Sequence, residues 1–303
     1  MIEENELSEK ELWEILPAKQ GEERADVLLA LAKQAGFRSS NAEALALAET
    51  AQEIYQSLGA TAADADIANA YTGIGYSLRK LNKTEEAVEV LSKAVDIYRE
   101  DHFPFLDDLL RTQAIWYSDL GQWDKTLECH LEAARVNEID GNQEWLAKSQ
   151  FNVGIAYGHL KDFPQALKQY QIARKLFKEL KMVPEVGRCD EMIAGAYVEL
   201  GNWELALEAG NRALDVARTL EWSVRLSQIL FNLGKAHVLK EDFETAEVQL
   251  GEALDLAKRC DEIDWDQVVL IEMEIISLMR VINRTSEADT REARIATIRE
   301  ILG

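Results

Sequence analysis

An all-α solenoid of about seven helix-turn-helix repeats is the fold that the sequence predicts, and three observations predict it. Helix-favouring Ala, Leu, Glu, Lys and Gln fill long stretches of the 303 residues, punctuated by only four prolines and sixteen glycines. A turn motif recurs: AYGHLKDFPQA at 156–166 returns as AYVELGNWELA at 196–206. Aligned on the residue that closes this motif, the chain reads Ala87, Thr126, Ala166, Ala206 and Ala246, spaced by 39, 40, 40 and 40 residues. A fixed period of this length marks a repeated supersecondary unit.

The elements follow in order. The start is acidic, with Glu3, Glu4, Glu6, Glu9, Glu11 and Glu14, the reverse of the basic and apolar run of a secretory signal. A short helix is expected at about residues 8 to 16, ending near Pro17, where it caps the first repeat. That repeat is anchored by Ala44 and Ala51, 43 residues before Ala87 and Ala94. In the five central repeats a small residue stands twelve positions before the closing residue: Gly75, Ala114, Gly154, Ala194 and Gly234. Alanine stands seven positions after it, as Ala94, Ala133, Ala173, Ala213 and Ala253.

Between the first two small positions lies a turn such as Leu120-Gly121-Gln122-Trp123, so each unit reads helix A, turn, helix B. Glycine or a polar residue just past helix A suits the left-handed conformation that ends a helix. The aromatic that follows (Trp123, Phe163, Trp203, Phe243) begins helix B. Small residues facing one another let antiparallel helices approach to roughly 8 to 10 Å. Two helices bury too little surface to stand alone, so neighbouring units must stack.

The seventh unit is anchored by Ala288, 42 residues after Ala246, carries Ile276 where a small residue belongs, and ends at Gly303. No linker-like stretch divides the chain. A single domain over 1–303 is therefore expected, with a capping helix in 1–20, six repeats over about 22–263 and a degenerate C-terminal repeat over 264–303.

Gly154, Tyr157, Ala166, Tyr170 and Ala173 stand at the signature offsets of the tetratricopeptide repeat, which the chain resembles. Gly234, His237, Ala246, Leu250 and Ala253 match with His in the place of Tyr, and Gly75, Leu78, Ala87, Leu91 and Ala94 with Leu there. The period near 40 rather than 34, and the missing proline after helix B, resemble the longer repeats of kinesin light chains and Rap-type bacterial regulators. The resemblance implies a right-handed superhelix with helix A lining its concave face and helix B its convex face.

Catalytic patterns are sparse. His102, His130, His159 and His237 form no metal-binding pair, and no phosphate-cradling glycine loop occurs, so neither a metal nor another cofactor is expected, nor an enzyme. Cys129, Cys189 and Cys260 have no paired spacing and read as packing residues. A net charge of −22 opposes direct binding to nucleic acid. The stretch QVVLIEMEIISLMRV is broken by Glu272 and Glu274, so no membrane span is expected and the cytoplasm is the default compartment.

The resemblance directs attention to helix A, where offsets from each small residue select a candidate peptide- or partner-binding set. These are Thr72, Tyr76, Arg79 and Arg111, then Lys148, Phe151, Asn152, Arg188, Met192, Phe231, Asn232 and Lys235. Among the inspected positions five are basic against Asp108 and Glu191. That reverses the sign of the chain and suits a mixed or mildly acidic ligand. Asn152 and Asn232, each two residues before glycine, match the asparagines that hold peptide backbone in relatives.

The leading reading is a non-enzymatic scaffold or adaptor that binds a peptide or partner helix in its groove. Two others compete with it: a peptide-sensing regulator, and an acidic-surface inhibitor or nucleic-acid mimic that binds a basic partner on the convex face. The oligomeric state is left open.

Overall fold

Every regular element is helical in a computed structural model of the chain, which describes residues 7–59, 64–101, 105–259 and 263–302. Glu3, Glu4, Glu6, His102, Cys260 and Gly303 lie outside the described residues. Helix α1 (Glu9–Ile15) starts at Ser8, whose hydroxyl and backbone form a reciprocal capping box with Glu11. It runs into a 3-10 turn at Leu16–Ala18 that contains Pro17, and Leu12 and Leu16 pack with Ala25 and Leu28 of the next helix.

The remaining helices form consecutive antiparallel pairs. The first three are α2 (Gly21–Phe37) with α3 (Asn41–Leu58), α4 (Asp64–Lys80) with α5 (Thr84–Asp101), and α6 (Leu106–Asp119) with α7 (Trp123–Ile139). Then come α8 (Gln143–His159) with α9 (Phe163–Glu179), and α10 (Val183–Glu199) with α11 (Trp203–Thr219). Last are α12 (Ser223–Leu239) with α13 (Phe243–Lys258), and α14 (Trp265–Val281) with α15 (Thr285–Leu302). Two compact units result, Met1–Gly141 and Asn142–Gly303, each an all-α stack of the solenoid type.

One left-handed residue turns each pair. Ser39, Asn82, Gly121, Lys161, Gly201, Glu241 and Asn283 follow their helices A with φ between 61 and 72°. The next N–H then reaches back to the last turn: Asp162 N donates to Tyr157 O, Asn202 N to Tyr197 O and Asp242 N to His237 O, each at 2.9 Å. Those same three residues cap helix B, their side chains accepting from the N–H of Gln165, Leu205 and Thr245. A three-residue connection thus both ends one helix and begins the next.

The small residues do the packing expected of them, in two ways. At Gly75 an added Cβ would lie 3.3 Å from the carbonyl oxygen of Ala87, so there the backbones themselves meet. At Ala114 the partner position holds Thr126, whose buried hydroxyl donates to the Ala114 carbonyl at 3.4 Å. At Gly154 and Gly234 the space is instead filled by the side chain four residues past the alanine. A Cβ would meet the Tyr170 ring at 2.5 Å and Leu250 Cδ2 at 2.7 Å. The later alanines, Ala94 to Ala253, are fully or almost fully buried.

Polar staples set the register of the second unit. Asp190 on α10 is 1% exposed and accepts from Arg174 of α9 and Arg212 of α11, both at 2.9 Å. One buried carboxylate therefore ties a helix A to two successive helices B. At the C-terminal end, Glu272 of α14 accepts from Lys258 of α13 at 3.0 Å and from Arg291 of α15. Ile276 is buried, and α15 seats Ala288 and Ile295 against the same core.

Two glycines separate packing from helix propensity. Gly154→Ala is expected to lower stability by about 1–2 kcal/mol, because overpacking against the Tyr170 ring outweighs the propensity gain. Gly251→Ala, where nothing lies within 4 Å of the new Cβ, is expected to raise it. The gain is about 0.5–1 kcal/mol. Urea unfolding midpoints check both.

Candidate functional site

The expected site residues fall on helices A of both units. In the first unit Thr72, Tyr76 and Arg79 lie on α4 and Arg111 on α6. The Thr72 hydroxyl is spent on the Ala68 carbonyl at 2.8 Å. Tyr76 stays half exposed, its ring edge-on to Trp116 and its hydroxyl 3.2 Å from that of Thr112.

In the second unit α8 carries Lys148, Phe151 and Asn152, α10 carries Arg188 and Met192, and α12 carries Phe231, Asn232 and Lys235. Phe151 is buried against Tyr170, and Met192 packs into the same core cluster. Asn232 lies against Gly195, where a Cβ would stand 3.3 Å from its amide nitrogen, and Gln228 donates to its oxygen at 3.5 Å. Asn152, by contrast, makes no side-chain hydrogen bond among the described residues.

Ion pairing reshapes the basic stripe. Arg79 lies 2.5 Å from Asp119, Arg111 pairs with Asp107 and Asp108, Lys148 lies 2.6 Å from Glu144, and Lys235 2.7 Å from Glu199. Those four cations are neutralised within the chain. Arg188 alone of the five has no carboxylate within ion-pair distance among the described residues. Its guanidinium lies over the Phe151 ring at 4.9 Å, and its buried Nε has no hydrogen-bond acceptor among the described residues. Burial, with the nearby Arg225 charge, lowers its proton affinity.

Beside it, Glu191 is 6% exposed and accepts from Arg225 Nη1 at 2.9 Å. Burial pushes the Glu191 carboxyl up, opposed by Arg225. Arg225 in turn lies over Trp222 at 5.7 Å. Sequence offsets include Glu191 but miss Arg225, which stands outside the inspected positions.

A larger omission lies in the first unit. A groove of about 1610 Å³ has Thr72 and Tyr76 on its α4 wall, and its α2 wall carries Asp26, Leu29, Ala30 and Lys33. Ala32 stands twelve residues before Ala44, so the same offsets applied to it name Asp26, Leu29, Ala30, Lys33 and Gly36. The signal was present. It was hidden because this repeat is recognised by its helix B alanines and lacks the glycine that marks three of the five central repeats.

Models of the tetratricopeptide repeat match residues 68–101, 106–179, 154–221 and 190–259. The chain belongs to the tetratricopeptide repeat family. This repeat protein is 24% identical over 163 residues to the outer dynein arm-docking complex subunit 4 of Xenopus laevis, covering 52% of the chain and 29% of the relative. To that subunit of Danio rerio it is 25% identical over 198 residues, covering 61% and 37%. The chain thus spans about a third of the length of the curated relatives it matches.

Solved structures share its fold at low identity. The Pyrococcus horikoshii signal transduction ATPase with a tetratricopeptide repeat sensor aligns with TM-score 0.68 and 14% identity, over 97% of this chain and 44% of that one. The apo form of RapI aligns at 0.62 and 14% over 91% and 97%. YrrB, described as a repeat protein with an unusual peptide-binding site, aligns at 0.53 and 19% over 69% and 93%. At such identities the likeness shows the fold alone.

The groups expected to be structural are placed as such. Cys129 and Cys189 are buried free thiols, each pushed up to about 12 by burial. Among the described residues no cluster of His, Cys, Asp or Glu suits a metal ion, and no helix is long and apolar enough to cross a membrane.

His130 is buried on α7, and burial, with the Arg111 charge, lowers its pKa from 6.5 to about 4. Between those values the unfolded chain binds this proton and the folded chain does not, so stability present above pH 6.5 is lost as pH falls toward 4. His130→Leu is expected to lose less stability than the wild type on acidification through that window. Paired urea titrations at several pH values check it.

Proposed function

We propose that the chain is a non-enzymatic interaction scaffold that binds a peptide or partner helix on the helix A face of its second unit, with Arg188 and Asn152 at the centre. The observation that carries this reading is Arg188 itself. An arginine held over an aromatic ring, with no ion pair among the described residues, is already oriented and retains its fork of donors. A partner carboxylate can take those donors in a bidentate pair. The amide of Asn152, next in sequence to the Phe151 beneath that guanidinium, offers both a donor and an acceptor to peptide backbone. The ligand is therefore of mixed or mildly acidic character.

The family supports a binding role, since stacked repeats present extended surfaces. The docking-complex name of the curated relatives and the peptide-binding site in the YrrB description point the same way. The net charge of −22 favours one competing mode, contact of the acidic exterior with a basic partner.

Pull-down from native extract, comparing wild-type protein with Arg188→Ala/Asn152→Ala, tests the scaffold reading. The groove partner is expected to weaken by about tenfold or more, the scale of a lost charged hydrogen bond, with the circular dichroism melt unchanged. An identical set of captured proteins would move the site elsewhere. Capture lost in the Arg188→Ala/Asn152→Ala variant supports the helix A face, whereas capture unchanged in that variant and lost between low and physiological salt supports the acidic exterior.

A further inference from the structure

The groove of the first unit is polarised along its length. Helices α2 and α4 each run antiparallel to α3, so their starts share one end of the groove. The Asp66 carboxyl, raised by burial and by the charges of Asp26 and Glu22, registers that proximity. On the α2 wall Asp26 comes first, then Leu29, Lys33 and, at the end, Phe37. On the α4 wall the order is Asp66, Thr72, Tyr76 and Lys80. Carboxylates therefore stand at one end, ammonium groups at the other, and apolar and aromatic surface between them.

None of these four charges has an ion-pair partner among the described residues. Asp26 accepts a hydrogen bond from the buried Tyr55 hydroxyl, yet neither it nor Asp66 pairs with a cation among the described residues. Lys33 and Lys80 have no carboxylate partner among them either, whereas Lys19 at the rim is matched by Glu23 at 3.2 Å. Helix dipoles account for charges at helix ends: Glu22 and Glu23 of α2 and, on α4, Asp66 in the first turn and Lys80 in the last. They do not explain Asp26, which lies beyond the first turn of α2 and half-buried opposite another carboxylate. Between the charges the groove exposes the Tyr76 ring, 46% accessible, and beyond Lys33, at its far end, Phe37, 78% accessible.

We propose that this groove docks an extended peptide segment of the opposite polarity. A lysine or arginine of the segment lies against Asp26 and Asp66, apolar residues lie along Leu29 and Tyr76, and acidic character follows toward Lys33 and, further along, Lys80, with Phe37 adding apolar contact at that end. Complementary charge at both ends fixes register and direction, and the apolar middle contributes burial. Asp26 and Lys33 are seven residues apart, and Asp66 and Lys80 fourteen. At 1.5 Å per residue those intervals span about 10 and about 21 Å. An extended chain covers that range in about three to six residues. The site lies wholly in Met1–Gly141 and does not depend on the Arg188 reading.

Fluorescence anisotropy with the full chain tests the proposal, using labelled octapeptides whose second and seventh residues flank a core of Ala, Leu and Phe. The flanking pairs are Arg/Glu, Glu/Arg, Arg/Arg, Glu/Glu and Gln/Gln. One mixed-charge peptide is expected to bind about tenfold more tightly than the like-charged and neutral ones. Asp26→Asn/Asp66→Asn is expected to abolish that preference, and Lys80→Ala, on an exposed side chain, to weaken it without affecting folding. Arg188→Ala is expected to leave it unchanged. Equal binding of the Gln/Gln peptide, no binding of either mixed peptide, or a loss caused by Arg188→Ala but not by the carboxylate variant would overturn it.

Discussion

Room at the crossing of helix A and helix B is the constraint on which the rest of this structure depends. Where Gly75 meets the Ala87 carbonyl, one extra carbon would already press on backbone. Where Gly154 faces Tyr170, the missing carbon is the space in which a buried ring sits. Either way the pair closes tightly enough to leave flat, alanine-lined sides, and the next pair stacks on those sides. A repeat whose crossing widened would lose contact with both neighbours at once, which is why the tolerance at this position is so small.

Closing the pair also decides which residues are left to meet a partner. Helix B spends its alanines on packing between repeats, while helix A keeps a face whose offsets from the small residue recur from one repeat to the next. On that face the two units differ in chemistry. In the second, most cations on this face are answered by carboxylates of the chain itself, and Arg188 is held over a ring with no ion pair among the described residues. In the first, charges of opposite sign sit at opposite ends of one groove. The strongly acidic composition is thus compatible with local surfaces of quite different preference.

Much of this was legible in the residues. The left-handed turn followed from Gly121 and Gly201, and the start of helix B from Trp123, Phe163, Trp203 and Phe243, because backbone sterics and capping act over only three or four positions. Lys161 and Glu241 take the same left-handed conformation without being glycine, held by the bonds on either side. The basic stripe was legible only as a list of charges. That Arg79, Arg111, Lys148 and Lys235 are neutralised depends on carboxylates placed by other turns and, for Arg79 and Lys235, by residues 40 and 36 positions away.

The order of helices, their turns, their period and the family were determined by the sequence alone, since each rests on short-range geometry that repeats often enough to be counted. Which charge finds a partner, which ring covers a guanidinium and where open space remains were decided only by tertiary structure. Apart from the pairs inside one helix, Arg111 with Asp107 and Asp108 and Lys148 with Glu144, those outcomes depend on distances between side chains of different helices, and a shift of about 1 Å separates a formed ion pair from an unpaired charge.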